Sequence, residues 1–301
     1  MVDVDGHQLK LSNLDKVLYP ADGFTKGQVI DYYARIAPVA VPHYDGRPMT
    51  LKRYPNGVDD KFFFEKNSPK HRPEWVTTAP TWSRHSKRTI DFTVIDSPAT
   101  LVWTANLAAI ELHPSLSLAS KPEQPTMVVF DLDPGAPADI RQCCEVACHL
   151  RELFDHLKLE AFPKTSGSKG LQIYVPLNSA VTYDEPNGGT KGFALAVAQL
   201  LERQHPELVV SNMAKDLRQG KILVDWSQND ESKTTSGVYS LRAREHPTVS
   251  TPVTWDEVET GDPDQLKFTA PEVLDRVDRL GDLFRPTLDL EQVLPKLGDG
   301  P

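Results

Sequence analysis

The spacing of apolar residues predicts five helices along the chain. Apolar side chains that recur every three or four residues form one stripe on a helix. Thr25-Lys-Gly-Gln28 has the spacing of a capping box, and the helix that follows it is predicted to end before Pro38. The other predicted helices are Ile140–Leu157, Phe193–Arg203, Pro271–Leu280 and Leu288–Leu297.

Runs rich in β-branched and aromatic residues predict short strands between these helices. The predicted strands are Met49–Tyr54, Phe62–Glu65, Asp91–Ile95, Thr126–Phe130, Leu171–Pro176 and Ile222–Trp226. Strand and helix do not alternate regularly, so we predict an α+β fold with a mainly antiparallel sheet. A length of 301 residues allows one large unit or about two domains of typical size.

Composition narrows the class of protein. No apolar run approaches the roughly 20 residues that cross a bilayer, and the N-terminus lacks the apolar region of a secretory signal. The three cysteines all lie within residues 143–148, so they cannot form a long-range disulfide framework. We therefore expect a cytoplasmic protein without membrane contact. Cys144 and Cys148 fall on the apolar side of their helix, which favours packing over ligand binding.

The net charge of −9 argues against a polyanionic partner, but the charge is unevenly distributed. Residues 251–301 hold 12 acids and 5 bases, a net charge of −7. Residues 61–88 hold seven lysines and arginines against two glutamates. A local positive field of this kind guides nucleic acid even when the whole chain is acidic; a solvated charged face is the alternative interpretation.

Asp131 and Asp133 follow the apolar run Val128-Val129-Phe130. Because side chains alternate along a strand, both carboxylates are predicted on one face, about 6.6 Å apart along the chain, with Leu132 in the core. Like charges there are costly unless something compensates them. A strand-end turn with solvated acids is the alternative to a metal site.

Asp225 is the candidate for a third carboxylate. It lies in the strand Ile222–Trp226, on the same face as Leu223. Carboxylate oxygens suit Mg²⁺ and Mn²⁺. Three carboxylates on adjacent strands can hold two metal ions roughly 3.5–4 Å apart, an arrangement that serves phosphoryl transfer.

Three further segments indicate contacts with phosphates or bases. In the loop Lys164–Gly170, the glycines Gly167 and Gly170 allow backbone N–H groups to approach an anion, and Lys169 supplies charge; a polar hairpin turn is the alternative. Arg242 and Arg244 alternate along a predicted strand, so both would face one phosphate or form surface ion pairs. Phe62-Phe63-Phe64 either stacks on bases or lies in a sheet buried on both faces.

Taken together, these motifs resemble the polymerase domain of bacterial ligase D and stand-alone Prim-Pol enzymes of the archaeo-eukaryotic primase superfamily. Eight segments occur in the order of that family over residues 11–250. They are Asn13–Pro20, Lys52–Gly57, Phe63–Lys66, Glu111–His113, Phe130–Gly135, Thr165–Gly170, Val224–Asn229 and Tyr239–Arg242.

The resemblance implies template-dependent nucleotidyl transfer by a single primase-polymerase domain over residues 1–301. It would have an N-terminal α/β subregion (1–125), a catalytic subregion (126–250) with a central, mainly antiparallel sheet flanked by helices, and an acidic helical tail (251–301). Asp131, Asp133 and Asp225 would hold two Mn²⁺ or Mg²⁺ ions. The residues implied to bind the nucleotide are Lys52, His113, Ser166, Lys169, Gln172, Gln228, Arg242 and Arg244.

The resemblance also implies contacts with DNA and a cellular role. Asn13, Lys16 and Lys26 would bind the 5′-phosphate at a gap or break, Phe63 and Phe64 would stack on the template, and Arg218 would lie near the primer terminus. The substrates would be gapped or broken DNA with rNTPs or dNTPs, in a bacterial, nucleoid-associated enzyme of gap filling or end joining. Because no K-x-D-G ligase motif is present, we expect a separately encoded ATP-dependent DNA ligase as partner.

Position 172 departs from the family pattern, which often has His there. Gln172 can donate a hydrogen bond to a phosphate but cannot carry a positive charge. Triphosphate affinity or sugar preference is therefore expected to differ from that of relatives.

Two other functions compete with this one. A haloacid-dehalogenase-type phosphohydrolase would use Asp131 as its nucleophile, although Pro134-Gly135 stands where that family has Gly-Thr. A non-catalytic DNA-end-binding module would use Lys16, Lys26 and the basic segment 61–88.

Overall fold

A computed structural model of the chain describes residues 1–83, 87–184 and 189–295. In these residues the strands are β1 (Val2–Val4), β2 (His7–Leu9), β3 (Val17–Tyr19), β4 (Phe24–Thr25), β5 (Met49–Arg53), β6 (Phe63–Glu65), β7 (Thr78–Ser83), β8 (Arg88–Thr93), β9 (Ala109–Pro114), β10 (Met127–Pro134), β11 (Phe162–Thr165), β12 (Leu171–Pro176), β13 (Val209–Val210) and β14 (Ile222–Asp225). The helices are α1 (Lys26–Tyr44), α2 (Pro98–Asn106), α3 (Ile140–His156), α4 (Gly189–Gln204), α5 (Trp255–Thr260) and α6 (Ala270–Leu280). Short 3-10 turns are Lys215–Arg218, Trp226–Gln228 and Arg285–Leu288.

The chain forms two compact units, each assembled from separate stretches of sequence. Residues 1–120, 234–250 and 268–282 form the first unit, and residues 121–233, 251–267 and 283–301 form the second. Among the described residues, the helices are all too short or too polar to cross a membrane.

The first unit contains a five-stranded antiparallel sheet. Its strand order is β6-β5-β8-β7, and β9 also pairs with β5. Helix α1 begins where the sequence predicts, because Thr25 and Gln28 complete a capping box.

Helix α1 does not end before Pro38, so that prediction was wrong. It continues through Pro38 and Pro42 to Tyr44. A proline costs a helix one backbone hydrogen bond, and here burial of the last two turns offsets the loss. Ala40 and Tyr44 are fully buried, and the Tyr44 hydroxyl donates to the carbonyl of Val238 at 2.5 Å.

The second unit is built on a five-stranded sheet with the order β11-β12-β10-β14-β13. All pairs are antiparallel except β13 with β14. Helices α3 and α4 pack on one face of β10, where the Phe130 ring lies 5.3 Å from Phe154 and 6.5 Å from Phe193. These two units confirm the α+β prediction with mainly antiparallel sheets.

Two predicted elements are wrong. Residues 289–295 are not helical, because the tail is held extended by side chains of the same unit: Asn178 donates to the carbonyl of Leu290, and Gln292 donates to that of Pro176. Residues 296 and 297 of that predicted helix lie outside the described residues. The segment Tyr239–Arg244 is not a strand, since its pairing is limited to one bridge from Leu241 to Val249 and it turns at Arg244.

The prediction that the cysteines pack in the core is confirmed for Cys144 but only in part for Cys148. Cys143 and Cys144 are buried, whereas Cys148 is partly exposed. Burial raises the pKa of the Cys144 thiol to about 12, so it packs as a neutral group.

Gly170 allows two strands to come unusually close beside the predicted carboxylates. A Cβ atom at this position would lie 2.0 Å from the carbonyl oxygen of Leu132. Gly135, at the end of β10, meets the carbonyl of Arg218 in the same way, at 1.8 Å. Both glycines are required by space rather than by an unusual backbone angle.

We therefore expect Gly170→Ala to destabilise the protein by more than about 3 kcal/mol, because a rigid backbone atom must move. Gly23→Ala is the matched control. Gly23 has a positive φ of 63° but open space around it, so its cost should be about 1 kcal/mol. Urea unfolding measures both. Equal losses in the two variants would contradict the steric explanation.

Candidate active site

Four polar side chains form a row across the sheet of the second unit. Strand register places Lys164 opposite Gln172, Gln172 opposite Asp131, and Asp131 opposite Asp225. Directly opposed residues share a face with Cβ atoms about 4.5–5.5 Å apart. The row therefore runs over β11, β12, β10 and β14 on the face away from Phe130.

Asp133 lies two residues along β10 from Asp131, on the same face and opposite Leu223. Leu132, between the two aspartates, is fully buried. The predicted separation of carboxylates from core is therefore confirmed. Asp133 is exposed, whereas Asp131 is partly buried.

Asp131 is in an environment that disfavours its charge. Burial is the main cause and the Asp133 carboxylate the next, and together with Asp225 they raise the pKa of Asp131 to about 7. A hydrogen bond with Gln172 and the charge of Lys164 act in the opposite direction. Asp131 thus lies where a positive charge would be stabilised.

Asp225 serves as the N-cap of the 3-10 turn that follows β14. One carboxylate oxygen accepts from the backbone N–H and the hydroxyl of Ser227, at 2.9 and 2.6 Å. The other accepts from the side-chain amide of Gln228 at 2.8 Å. Gln228, expected at the nucleotide, therefore fixes the orientation of a candidate ligand.

The chemistry of this carboxylate set fits a hard divalent cation. Three carboxylates lie on two neighbouring strands, and burial, followed by its like-charged neighbours, raises the pKa of Asp131. The side chains do not yet converge: across residues 1–83, 87–184 and 189–295, no group of three acidic, histidine or cysteine side chains is arranged closely enough to hold an ion. The backbone register nevertheless places Asp131 directly opposite Asp225, with Asp133 on the same face two residues along β10.

The loop between β11 and β12 is a tight hairpin turn. The Ser166 hydroxyl accepts from the backbone N–H groups of Ser168 and Gly170, at 3.2 and 3.1 Å. Ser166 is buried, while Lys169 is exposed at the tip. Of the two predicted phosphate contacts, Lys169 is the one that faces solvent.

Arg218 lies at the end of the 3-10 turn Lys215–Arg218, against Gly135. One of its terminal nitrogens donates to the carbonyl of Met213 at 2.5 Å. Its Nε is buried without a hydrogen-bond partner among the residues the structure describes. The guanidinium group is therefore incompletely satisfied at the end of the strand that carries Asp133.

A second cluster, in the first unit, gathers three predicted nucleotide-binding residues around Glu111. One oxygen of Glu111 lies 3.3 Å from Nζ of Lys52, and the other lies 2.9 Å from Nε2 of His113 and 3.4 Å from Nε of Arg242. Tyr54 also donates to Glu111, at 3.2 Å. The strand register accounts for the contact between Lys52 and Glu111, because the two residues lie directly opposite each other in the sheet.

The charges of this Glu111 cluster are mutually dependent. Burial alone would raise the pKa of Glu111, but the hydrogen bond from His113 and the charges of Arg242 and Lys52 outweigh it and hold the pKa well below its usual range. Burial in turn lowers the pKa of His113. An ionised Glu111 only accepts hydrogen bonds, so Nε2 of His113 carries the proton and Nδ1 of the neutral ring is left as an acceptor.

Arg244 does not share the position of Arg242. It is exposed in a turn, whereas Arg242 reaches Glu111. The prediction that both arginines face one phosphate from a strand is therefore wrong, because the segment is not extended there.

The aromatic run is exposed rather than buried. Phe62, Phe63 and Phe64 have exposed fractions of 49%, 44% and 56%. Nζ of Lys52 lies 4.3 Å from the centre of the Phe62 ring, and the Arg53 guanidinium lies 5.0 Å from that of Phe63. Exposed rings with adjacent cations suit stacking on bases, and burial on both faces is excluded.

The three residues predicted at a 5′-phosphate come together at the start of α1. The backbone N–H of Lys26 donates to the carbonyl of Lys16, and that of Lys16 donates to the carbonyl of Asn13. Nζ of Lys16 donates to Asn56 at 2.9 Å, and Nζ of Lys26 donates to the carbonyl of Ser12 at 2.8 Å. Burial and the neighbouring Lys16 and Arg53 lower the pKa of Lys26.

Sequence reasoning missed two residues of these sites as participants. Glu111 was part of a recognised motif, but its role as the centre of the cation cluster depends on its pairing with β5. Lys164 was named only as the first residue of a loop. An isolated lysine within the apolar-flanked run Phe162-Pro163-Lys164-Thr165 was the available signal.

Comparisons with known proteins agree on one family. The family described as LigD, primase-polymerase domain, matches residues 25–284. The multifunctional non-homologous end joining protein LigD of Mycolicibacterium smegmatis is 46% identical over 281 residues, which are 93% of this chain and 36% of the relative. The bifunctional LigD of Bacillus subtilis is 32% identical over 276 residues, which are 91% of this chain and 43% of the relative. This chain thus spans less than half the length of these two relatives.

A solved structure matches the fold as well. The polymerase domain from Mycobacterium tuberculosis ligase D, in complex with DNA, is 43% identical and superimposes with a TM-score of 0.86. The match covers 93% of this chain and 98% of that domain.

The raised pKa of Asp131 predicts a pH-dependent effect of Asp131→Asn on stability. Between the ordinary value of 3.8 and about 7, the folded protein keeps a proton that the unfolded chain has lost, so folding stability falls as the pH rises through this window. Without metal at pH 8, the variant should be more stable than the parent by about 1–3 kcal/mol, allowing for solvent screening. Near pH 4 the difference should vanish. Denaturant unfolding in EDTA measures it, and an equal difference at both pH values would contradict the cause given.

Proposed function

Because this chain belongs to the family of LigD primase-polymerase domains, which are nucleotidyltransferase-type DNA polymerases, we propose that it extends DNA primers by template-dependent nucleotidyl transfer. The substrates are rNTPs or dNTPs at short gaps or broken ends, in end joining or excision-gap repair. The observation that carries the proposal is the register that sets Asp131 opposite Asp225, with Asp133 on the same face.

In this proposal Asp131, Asp133 and Asp225 hold two Mn²⁺ or Mg²⁺ ions. Such ions, when bound, lower the pKa of a primer 3′-hydroxyl and neutralise charge on the departing pyrophosphate. The protein's part is to keep the carboxylates ionised and oriented. Gln172 and Gln228 do this for Asp131 and Asp225 through their side-chain amides.

Each unit holds groups that suit nucleotide binding, and we assign them for each unit by itself. In the first unit, Glu111 fixes Lys52 and Arg242 as phosphate-binding cations and His113 as a neutral ring near the sugar. In the second unit, Lys169 is exposed for a triphosphate and Ser166 shapes the turn beside it. Arg244 contributes an exposed, solvated charge.

DNA contacts involve cationic and aromatic groups, of which Lys26 is buried and the others are at least partly exposed. Asn13, Lys16 and Lys26 bind a 5′-phosphate at the downstream side of a gap, and Phe63 and Phe64 stack on the template. Arg218 is positioned for the primer terminus. The complex of the M. tuberculosis domain with DNA supports a DNA substrate. An ATP-dependent DNA ligase would then seal the product in the nucleoid of a bacterial cytoplasm.

The haloacid dehalogenase alternative is not supported. The family assignment and the antiparallel neighbours of β10 both differ from what that alternative requires. The non-catalytic end-binding alternative is separated from the proposal by experiment, since it needs the lysines but not the aspartates.

We expect Asp131→Ala to lower primer extension roughly a thousandfold or more, because ligands of a catalytic metal supply several kcal/mol of transition-state stabilisation. Binding to a gapped duplex with a 5′-phosphate should survive. Glu145→Ala, at an exposed acid on α3, is the control and should extend normally. Gel-based extension with Mn²⁺ and Mg²⁺ and each nucleotide type measures the effect. Full activity of Asp131→Ala would leave only the end-binding alternative.

We expect Lys16→Ala to weaken binding to a 5′-phosphorylated gap more than to the 5′-hydroxyl form. Loss of one phosphate contact should also reduce the log–log salt slope of affinity by about 0.7–0.9. Lys10→Ala, at another exposed lysine of the same segment, should affect both substrates alike. Fluorescence anisotropy over a salt series tests this. Equal weakening by Lys16→Ala on both substrates would remove the proposed phosphate pocket.

A further inference from the structure

Lys164 is a lysine with no exposed surface inside the second unit. Its exposed fraction is 0%, and it begins the row of side chains that continues through Gln172 to Asp131. Its Nζ lies 2.5 Å from Oε1 of Gln172 and 5.3 Å from the centre of the Tyr174 ring. Burying an ammonium group is costly unless negative charge and hydrogen bonds compensate it. The nearby Asp131 supplies such charge, since Lys164 acts electrostatically on that carboxyl.

The contacts of Gln172 determine which way its amide points. Lys164 and the Tyr174 hydroxyl both donate to Oε1, at 2.5 and 3.3 Å. The ammonium group has donors only, so the oxygen of the amide must face it. The amide nitrogen is then directed to the hydrogen bond with Asp131, where the carboxylate is the acceptor.

We propose that Lys164 is a positioning residue that acts through Gln172 to hold the Asp131 carboxylate ready for a divalent cation. Lys164 fixes the orientation of the amide, and the amide fixes one oxygen of Asp131. In this proposal the ion binds through the other oxygen of Asp131. This inference rests on the proposed function, because it assigns Asp131 as a metal ligand.

The position of Lys164 opposite residue 172 also compensates for the glutamine that stands there in place of the histidine common in the family. A glutamine alone brings a hydrogen bond without charge, and Lys164 adds the charge from the opposite strand position. The two side chains together therefore form one unit, a donor to Asp131 with a cation behind it.

The test measures Mn²⁺ affinity of the EDTA-treated full chain by calorimetry at neutral pH. Groups that orient metal ligands typically contribute 10- to 100-fold to metal affinity, so Lys164→Met should weaken Mn²⁺ binding by that factor. Gln172→Met should do the same, and the double variant should be no weaker than either single one, because both act on the same carboxylate. High Mn²⁺ should restore the extension rate of Lys164→Met.

Two variants control for general damage to the sheet. Ile173→Val lies on β12 with its side chain on the other face, and it should lower stability without changing Mn²⁺ affinity. Tyr174→Phe removes the longer of the two contacts to Gln172 and should change affinity less than about threefold. A further variant keeps the proposal testable if Lys164→Met does not fold. Lys164→Gln retains a donor for the amide oxygen of Gln172, so it should bind Mn²⁺ nearly as the parent does.

The sign of the effect separates positioning from simple electrostatics. A nearby positive charge repels a metal ion, so a lysine with no positioning role would give tighter Mn²⁺ binding when removed. Unchanged or tighter binding in Lys164→Met, additive losses in the double variant, or a large loss in Lys164→Gln would overturn the inference. If Asp131→Ala leaves Mn²⁺ binding intact, the proposed metal site fails as well; if it abolishes binding while Lys164→Met is neutral, only this inference fails.

Discussion

The antiparallel register of β10 between β12 and β14 is the constraint on which the candidate site depends. Alternation along β10 sends Phe130 and Leu132 to the core and leaves Asp131 and Asp133 on the other face. Pairing on both sides then sets Gln172 and Asp225 beside Asp131. A shift of one residue would exchange carboxylates and core side chains, so the packing of Phe130 against α3 and α4 also maintains the site.

The Glu111 cluster and the Asp131 cluster differ in how their charges are balanced. Around Glu111, one buried carboxylate is surrounded by cations and donors, so the charges within the cluster compensate one another. Around Asp131, carboxylates are close to one another and the pKa of Asp131 rises. The first arrangement stabilises a fixed geometry, whereas the second is costly in the protein alone; in the function we propose, bound cations compensate that cost. Sites that are strained in this way are typical of function rather than of folding stability.

Local patterns in the sequence were sufficient for elements whose signals agree with their surroundings. The helix Ile140–His156 and the strand Leu171–Pro176 were predicted within a residue, because periodicity, caps and burial all favour the same structure there. Helix α1 passes Pro38 because tertiary burial of its last turns outweighs a local penalty. The segment Tyr239–Arg244 alternates like a strand but lacks a strand neighbour over most of its length. Its course is set instead by hydrogen bonds with α1: the Tyr32 hydroxyl donates to the carbonyl of Tyr239, and the Tyr33 hydroxyl accepts from the backbone N–H of Leu241. No local pattern contains these contacts.

The site residues divide in the same way. The placement of Asp131 and Asp133 on one face could be predicted because they lie two residues apart on one strand. The contacts of Glu111 and Lys164 depend instead on which strand lies next to theirs. Lys164 and Gln172 are eight residues apart in the chain and directly opposed in the sheet. A departure such as Gln172 therefore cannot be interpreted from its own position. Its effect is set by the residue across the strand pair, and Lys164 makes an uncharged amide part of a charged assembly next to Asp131.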